Sequence, residues 1–238
     1  LLASIAIGLY AATRVKNSAD YAIAGRSLPL AVIIATTFAT WFGSETVLGI
    51  PSKFIEGGLQ KTVEDPIGAG MCLVLVGMFF ARKLYKMDLL TIGDFYRKRY
   101  GKGVEIFSSI VILISYLGWV AAQITALGLV FNLLSAGAIS VATGMVIGTL
   151  VVLVYTLFGG MWSVALTTFF QMIIIVVGLT LIAFFAADHA GGVGTVVEYA
   201  RSRDLFQFFP DGGLHGWLFW IGAAITIMIG SIPQQDVF

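Results

Sequence analysis

The sequence predicts an all-α protein that crosses a membrane about seven times. Three observations carry that reading. Of the 238 residues, 58% are hydrophobic and only 11% charged. The mean hydropathy is +0.95. Apolar runs close to the length of a bilayer span recur along the whole chain. Water-soluble domains carry roughly 25% charged residues, and a helix needs about 20 apolar residues to cross the hydrocarbon layer. The lipid bilayer is therefore the expected partner. A net charge of +1 and the lack of a basic, aromatic-studded patch give no reason to expect nucleic acid. The single cysteine, Cys72, lies in an apolar run and reads as a small packing residue.

In chain order the apolar segments are Leu1–Thr13, Leu28–Ile55, Pro66–Ala81, Val104–Leu134, Ile139–Phe158, Val164–Ala187 and Leu214–Phe238. The third is short for a crossing and is expected to tilt or to extend at its ends. Between the third and fourth, "MDLLTIGDFYRKRY" spaces Leu89, Leu90, Ile92, Phe95 and Tyr96 near a helical period, which predicts a short interfacial helix. Charge sets the orientation. Arg14, Lys16 and Arg26 follow the first segment, and Arg82, Lys83, Lys86, Arg97, Lys98, Arg99 and Lys102 follow the third. The opposite side has only Lys53, Lys61, Arg201 and Arg203, so the richer side is cytoplasmic. Asp188–Gly213 then forms a long external loop.

The second segment contains "ATWFGSETVLGIPSKFIEGGL", in which a carboxylate, Glu45, coincides with Gly43, Gly49 and Pro51. In lipid every backbone group must be bonded internally, so a helix breaks only where it borders protein or a cavity. Thr36, Thr37, Thr40, Ser44 and Thr46 supply polar surroundings, and unwound carbonyls are hard ligands suited to Na⁺. The alternative is a kinked structural helix with Glu45 bonded to a neighbouring hydroxyl. Trp41 and Trp119 stand at depths that allow them to share a cavity and face an ammonium, or else they pack. Gln123 and Thr125 offer hydrogen bonds nearby, or join helices to one another. In "YTLFGGMWSVALTTFFQ", Gly159 and Gly160 permit a tight cytoplasmic turn, followed by Thr167, Thr168 and Gln171. "GSIPQQDVF" interrupts the last segment at Gly230 and Pro233 and adds Gln234 and Gln235. Two interrupted segments at corresponding positions point to a midplane site between inverted repeats. No metalloprotease, phosphate-loop or nucleophile-elbow motif is present, and His189 and His215 flank the external loop, so no enzyme is expected.

Taken in order, "DYAIAGRSLP" at 20–29, "LGIP" at 48–51, the double-glycine stretch and "IPQQDVF" resemble the sodium:solute symporter family over essentially the whole chain. "TWFG", "GWVAAQITALG" and "GSIPQQ" sit nearest in pattern to its choline-transporter-like branch. The resemblance implies a LeuT-like fold of two inverted five-helix repeats. Residues 1–238 would be the amino-terminal portion of a single transporter domain, truncated at both ends. Residues 28–56 would be broken core helix one, and 214–238 broken core helix six. It further implies Na⁺ held by the carbonyls of Ala39 and Phe42. Solute would be held by Trp41, Ser44, Glu45, Trp119, Gln123 and Gln234, with gating or structural roles for Gly43, Pro51, Gly159, Gly160, Thr168 and Pro233. Gln234 stands where the choline branch has a third aromatic, and Thr168 where the family usually has an aspartate.

The function implied is secondary transport: a small polar organic solute, such as an amine or amino acid, moved with Na⁺ as coupling ion and no cofactor. Glu45 allows H⁺ in place of Na⁺. The location implied is the inner, or plasma, membrane. The alternative from another class is a membrane sensor of the same fold joined to a signalling module such as a histidine kinase.

Overall fold

The computed structural model of the chain describes residues 2–235 and is helical from end to end. In order the helices are α1 (Leu2–Ala12), α2 (Ser18–Ile23), α3 (Leu30–Trp41), α4 (Ile50–Gly57), α5 (Ala69–Leu75), α6 (Ala81–Lys86), α7 (Ile92–Tyr100), α8 (Lys102–Leu134), α9 (Val141–His189), α10 (Val193–Ser202) and α11 (Gly213–Gly230). Three π-helical turns, Glu45–Gly49, Val63–Gly68 and Val76–Phe80, interrupt the second and third apolar segments. Such turns recur at functional positions because they displace the backbone from the regular ladder.

Among the described residues each of the seven apolar runs is mostly helical, but they do not make seven separate spanning helices. Among the described residues four helical stretches are long and apolar enough to cross: Leu59–Lys86, Lys102–Leu134, Val141–His189 and Gly213–Gly230. A fifth crossing arises if Ser18–Arg26 and Leu30–Trp41, which meet at a bend of 108°, count as one. The first segment supplies only the short apolar helix α1. The third, expected to be short, extends at both ends to 28 residues. The fifth and sixth merge into the 49 residues of α9, more than twice a bilayer crossing at about 1.5 Å per residue. Gly160 leaves the helix there, with φ 48° and ψ −138°, and divides α9 at the double glycine.

The chain forms two compact units. The first comprises residues up to Ser44 together with Ile106–Ile175, and the second Glu45–Glu105 with the residues from Val176 onward. In the first unit small residues bring helices into backbone contact, as expected where lipid supplies no hydrophobic drive for association. Ala11, Ala35 and Ala165 are fully buried. A β-carbon on Gly144 would stand 2.7 Å from that of Phe131, and one on Gly8 2.7 Å from that of Tyr155. The Ser163 hydroxyl donates to the Gly8 carbonyl, and the Arg14 guanidinium lies 5.3 Å over the Trp162 ring. The approach segment ahead of α3 is not a plain loop: Asn17 caps α2 by accepting from the Asp20 amide. Its Tyr21 hydroxyl donates to the Thr156 carbonyl at 3.3 Å.

In the second unit, the Leu59 amide donates to the Leu205 carbonyl at 2.8 Å and the Gln60 amide to that of Gln207 at 3.1 Å. The stretch 188–213, expected to be an external loop, holds α10. Its Val193, Val196, Val197 and Ala200 have helical spacing, and Ala200 is buried. The interfacial helix expected from "MDLLTIGDFYRKRY" is α7. Thr91 and Asp94 form a capping box at its start, and Leu89 and Ile92 are buried.

Candidate functional site

The site is built around the end of α3. Its C-terminal amide bond runs from Phe42 to the Phe38 carbonyl at 2.8 Å. Phe42 itself has φ −100° and ψ 73°, outside the helical region. In an unbroken helix the Ser44 amide would bond the Thr40 carbonyl. Here it turns aside and donates to Gln123 Oε1 at 3.0 Å. The interruption therefore lies at Phe42 and Gly43, and helical geometry resumes in the π turn Glu45–Gly49. Pro51 does not make the break. It sits at the first turn of α4, where its missing N–H is harmless.

Gln123 approaches because residue 43 lacks a side chain: a β-carbon there would stand 2.9 Å from Gln123 Nε2 and 3.2 Å from Oε1. One arm of the carboxamide thus satisfies the open amide of Ser44. The other arm, Nε2, is buried and has no hydrogen-bond partner among the described residues. A buried donor left unmet costs about 1–3 kcal/mol, so this N–H₂ is a place where an incoming acceptor is favoured.

Of the residues singled out in the sequence, the first unit therefore brings Gly43, Ser44 and Gln123 together. Ala39 and Phe42 flank the same break on the chain. Trp41 ends α3, half-buried, and Trp119 is half-buried on α8 with its ring edge-on to Tyr116 at 6.1 Å. Thr168 Oγ1 donates to the Val164 carbonyl at 2.8 Å and lies 3.5 Å from Thr36 Oγ1, so the two hydroxyls meet. Gly159 and Gly160 are buried at the kink in α9. A β-carbon on Gly160 would overlap the Tyr21 carbonyl.

The remaining candidates belong to the second unit. Glu45 opens the π turn and is exposed. Helix α11 ends at Gly230, and Ser231–Gln235 follow as a turn containing Pro233 and Gln234. The last three residues of the expected broken core helix six, 236–238, lie outside the described residues. Gln235 rather than Gln234 makes the visible tertiary bond, its Oε1 accepting from the Ile92 amide at 2.9 Å.

Residues not singled out in the sequence are Glu64 and Asp65. Asp65 Oδ2 accepts from Thr46 Oγ1 at 2.7 Å, and Glu64 pairs with Lys53 at 2.7 Å. Ahead of an apolar run, "VEDPIG" reads as an ordinary helix start. The signal available was Asp65 before Pro66, since a residue preceding proline is driven out of the helical region.

Comparison with known proteins fits this geometry to a family. The sequence model of the sodium:solute symporter family matches residues 21–236. The chain is similar to the high affinity choline transporter 1 of Homo sapiens, at 29% identity over 243 residues, covering 98% of this chain and 41% of that protein. It is similar to the high-affinity proline transporter PutP of Bacillus subtilis (strain 168), at 33% over 222 residues, covering 88% and 46%. Among solved structures, a Na⁺-coupled sialic acid symporter in a substrate-bound outward-open state superposes with a TM-score of 0.81 at 21% identity. That match covers 99% of this chain and 50% of the symporter. The likeness to it shows the LeuT-like fold, and the chain spans less than half the length of the two curated relatives.

Proposed function

The chain belongs to the sodium:solute symporter family, and we propose on that footing that its full-length protein couples Na⁺ entry to uptake of a small polar organic solute. It is a multi-pass protein of the plasma membrane. The observation that carries the reading is the break at Phe42–Gly43, held open by Gln123 taking the Ser44 amide. An unwound stretch frees carbonyl oxygens inside the membrane, and several converging carbonyls suit a hard alkali cation. Ala39 and Phe42 are assigned as Na⁺ ligands. Trp41, Ser44, Trp119 and Gln123, all of the first unit, are assigned to the solute, with the Gln123 N–H₂ donating to a solute oxygen.

The relatives' names give choline and proline as what those proteins carry, and both are small solutes with a nitrogen and an oxygen function. One Na⁺ entering down an inside-negative potential of about 100 mV supplies about 2.3 kcal/mol, enough for roughly fifty-fold accumulation before any concentration term. No covalent step is required of any residue. Alternating access by rocking of one helical bundle against another is the mechanism this fold supports.

The test is uptake into proteoliposomes of the full-length protein, with and without an inward Na⁺ gradient, across choline, L-proline, sugars and carboxylates. Accumulation of one solute that collapses when K⁺ replaces Na⁺ is expected. Solute accumulation indifferent to Na⁺ would sink the reading. Glu45, at the start of the turn after the break, is assigned to balancing a cationic solute or adding an ion ligand. Glu45→Gln is then expected to raise the half-saturating Na⁺ or solute concentration roughly tenfold, about 1.4 kcal/mol. Unchanged uptake with unchanged Na⁺ dependence removes Glu45 from the mechanism.

A further inference from the structure

The link between two crossings carries more charge than is needed to orient the chain. Leu59–Lys86 and Lys102–Leu134 are both long and apolar enough to cross a bilayer, and only residues 87–101 lie between them. Most of that link is α7 (Ile92–Tyr100), so the helix is held at one membrane surface. Its first turn is docked on protein. Leu89, Ile92 and Gly93 are buried, and the capping box of Thr91 and Asp94 fixes the start. The Ile92 amide donates to Gln235 Oε1 at 2.9 Å, which ties the helix to the turn after α11. The other end, Arg97–Tyr100, is exposed.

Residues 81–105 hold seven basic and three acidic side chains. Two of the acids are occupied locally: Asp94 Oδ2 accepts the Leu90 and Thr91 amides at 3.1 and 2.9 Å, and Glu105 lies 3.6 Å from Arg97 Nε. Lys98 is occupied as well, its Nζ donating to the Met87 carbonyl at 3.1 Å, just beyond the end of α6. That leaves Arg82, Lys83 and Lys86 on α6, Arg99 on α7 and Lys102 at the start of α8. All five are exposed, and no carboxylate pairs with any of them among the described residues. Interleaved with them in the sequence are the exposed apolar bodies of Tyr85, Leu90 and Tyr100. Tyrosine rings settle at headgroup depth, and lysine and arginine lay their stems along apolar surface while the charge reaches outward.

We propose that this surface, formed by the end of α6, the exposed end of α7 and the start of α8, binds the anionic phospholipid headgroups of the leaflet it faces. The excess of Lys and Arg marks that leaflet as cytoplasmic. A negatively charged leaflet attracts clusters of four to eight basic residues beside a crossing, within about a Debye length. Position favours lipid over an acidic polypeptide, because the helix and its tyrosines already lie at the bilayer surface and no partner has to be recruited. The docked first turn adds order: the cations are presented by an anchored element rather than by a loose linker. The surface lies apart from the residues assigned to ion and solute, and the inference holds whatever solute is carried.

The test titrates the full-length protein in detergent with dioleoylphosphatidylglycerol, and separately with dioleoylphosphatidylcholine, and follows the thermal unfolding midpoint. A lipid that binds only the folded state raises that midpoint with occupancy. Phosphatidylglycerol is expected to stabilise the protein beyond phosphatidylcholine, and the difference is expected to shrink as KCl is raised from about 0.1 M to about 1 M, where the Debye length falls from about 10 Å to about 3 Å. Changing Arg82, Lys83, Lys86, Arg99 and Lys102 together to Gln is expected to raise the half-saturating phosphatidylglycerol about tenfold. Arg99→Gln with Lys102→Gln is expected to raise it about threefold, and carries the test alone if the larger variant is not recovered folded. Arg201→Gln with Arg203→Gln removes the same charge from the opposite side and is expected to leave it unchanged. Equal effects of the two lipids on the wild-type protein, an unchanged phosphatidylglycerol response in the variants recovered, or equal effects of the two paired variants overturns the proposal. So does stabilisation by inorganic phosphate that matches the lipid, which would mean a free anion site. Stabilisation by poly-L-glutamate that exceeds the lipid's at equal charge overturns it in favour of an acidic polypeptide.

Discussion

Gly43→Ala is expected to yield a folded protein whose half-saturating Na⁺ and solute concentrations rise by roughly tenfold or more. The added methyl would stand 2.9 Å from Gln123 Nε2 and 3.3 Å from Cδ. Those atoms end a flexible side chain, so the clash is relieved by the carboxamide withdrawing. Withdrawal is the damage. Oε1 leaves the Ser44 amide, now 3.0 Å away, and a partly buried donor at the break goes unmet, at about 1–3 kcal/mol. Gln123→Leu removes the same acceptor from the other side and is expected to match Gly43→Ala, with the pair of changes far from additive. Gln123→Glu separates the two arms of the side chain. It keeps an oxygen for Ser44 but loses the N–H₂, so Na⁺ half-saturation is expected to hold while solute affinity falls. Na⁺-driven uptake kinetics on the four variants decide it. Unchanged kinetics in both Gly43→Ala and Gln123→Leu would mean that the clamp does not set the site.

Gly160→Ala is expected to act on folding rather than affinity, and more severely. At φ 48° and ψ −138° the residue occupies a region that side chains avoid, which costs about 1–3 kcal/mol by itself. Its β-carbon would also run into the Tyr21 carbonyl, which is backbone and cannot swing away. Together these place the loss at about 3 kcal/mol or more, among the large single-residue effects. The expected outcome is little monodisperse protein after extraction, measured by size-exclusion chromatography. Gly178→Ala is the control, because a β-carbon there would meet nothing within 4 Å. Equal yields from the two variants would contradict the packing described for the kink.

The helical class, and the mostly helical setting of the apolar runs among the described residues, were legible in hydropathy alone, because a bilayer leaves so few backbone solutions. The number of separate crossings was less legible. Leu1–Thr13 and Ile139–Ala187 show why: hydropathy marks where lipid is tolerated, whereas the kink that divides α9 depends on one dihedral at Gly160. α10 went unread because Val193, Val196, Val197 and Ala200 are scattered through a polar stretch, and helical spacing over ten residues is a weak signal beside spans of 18 to 49 residues. At the site, Gly43 and Gln123 were each visible as odd residues for a membrane helix. Their pairing was not, since 79 positions separate Gln123 from the amide it accepts. Asp65 was hidden by its neighbours: beside Pro66 and ahead of an apolar run, a carboxylate looks like an unremarkable helix cap. The partner that gives it meaning is a threonine 19 residues earlier.

The contact of Tyr21 with the kink in α9 has a consequence for biosynthesis. The Tyr21 hydroxyl bonds a carbonyl that is made 135 residues later. At roughly 5–20 residues per second, the ribosome needs about 7–27 seconds to deliver it. Through that interval the approach segment has neither the Thr156 carbonyl nor the Gly160 surface to rest on. Docking of the approach segment is therefore a late event, which follows the synthesis of α9.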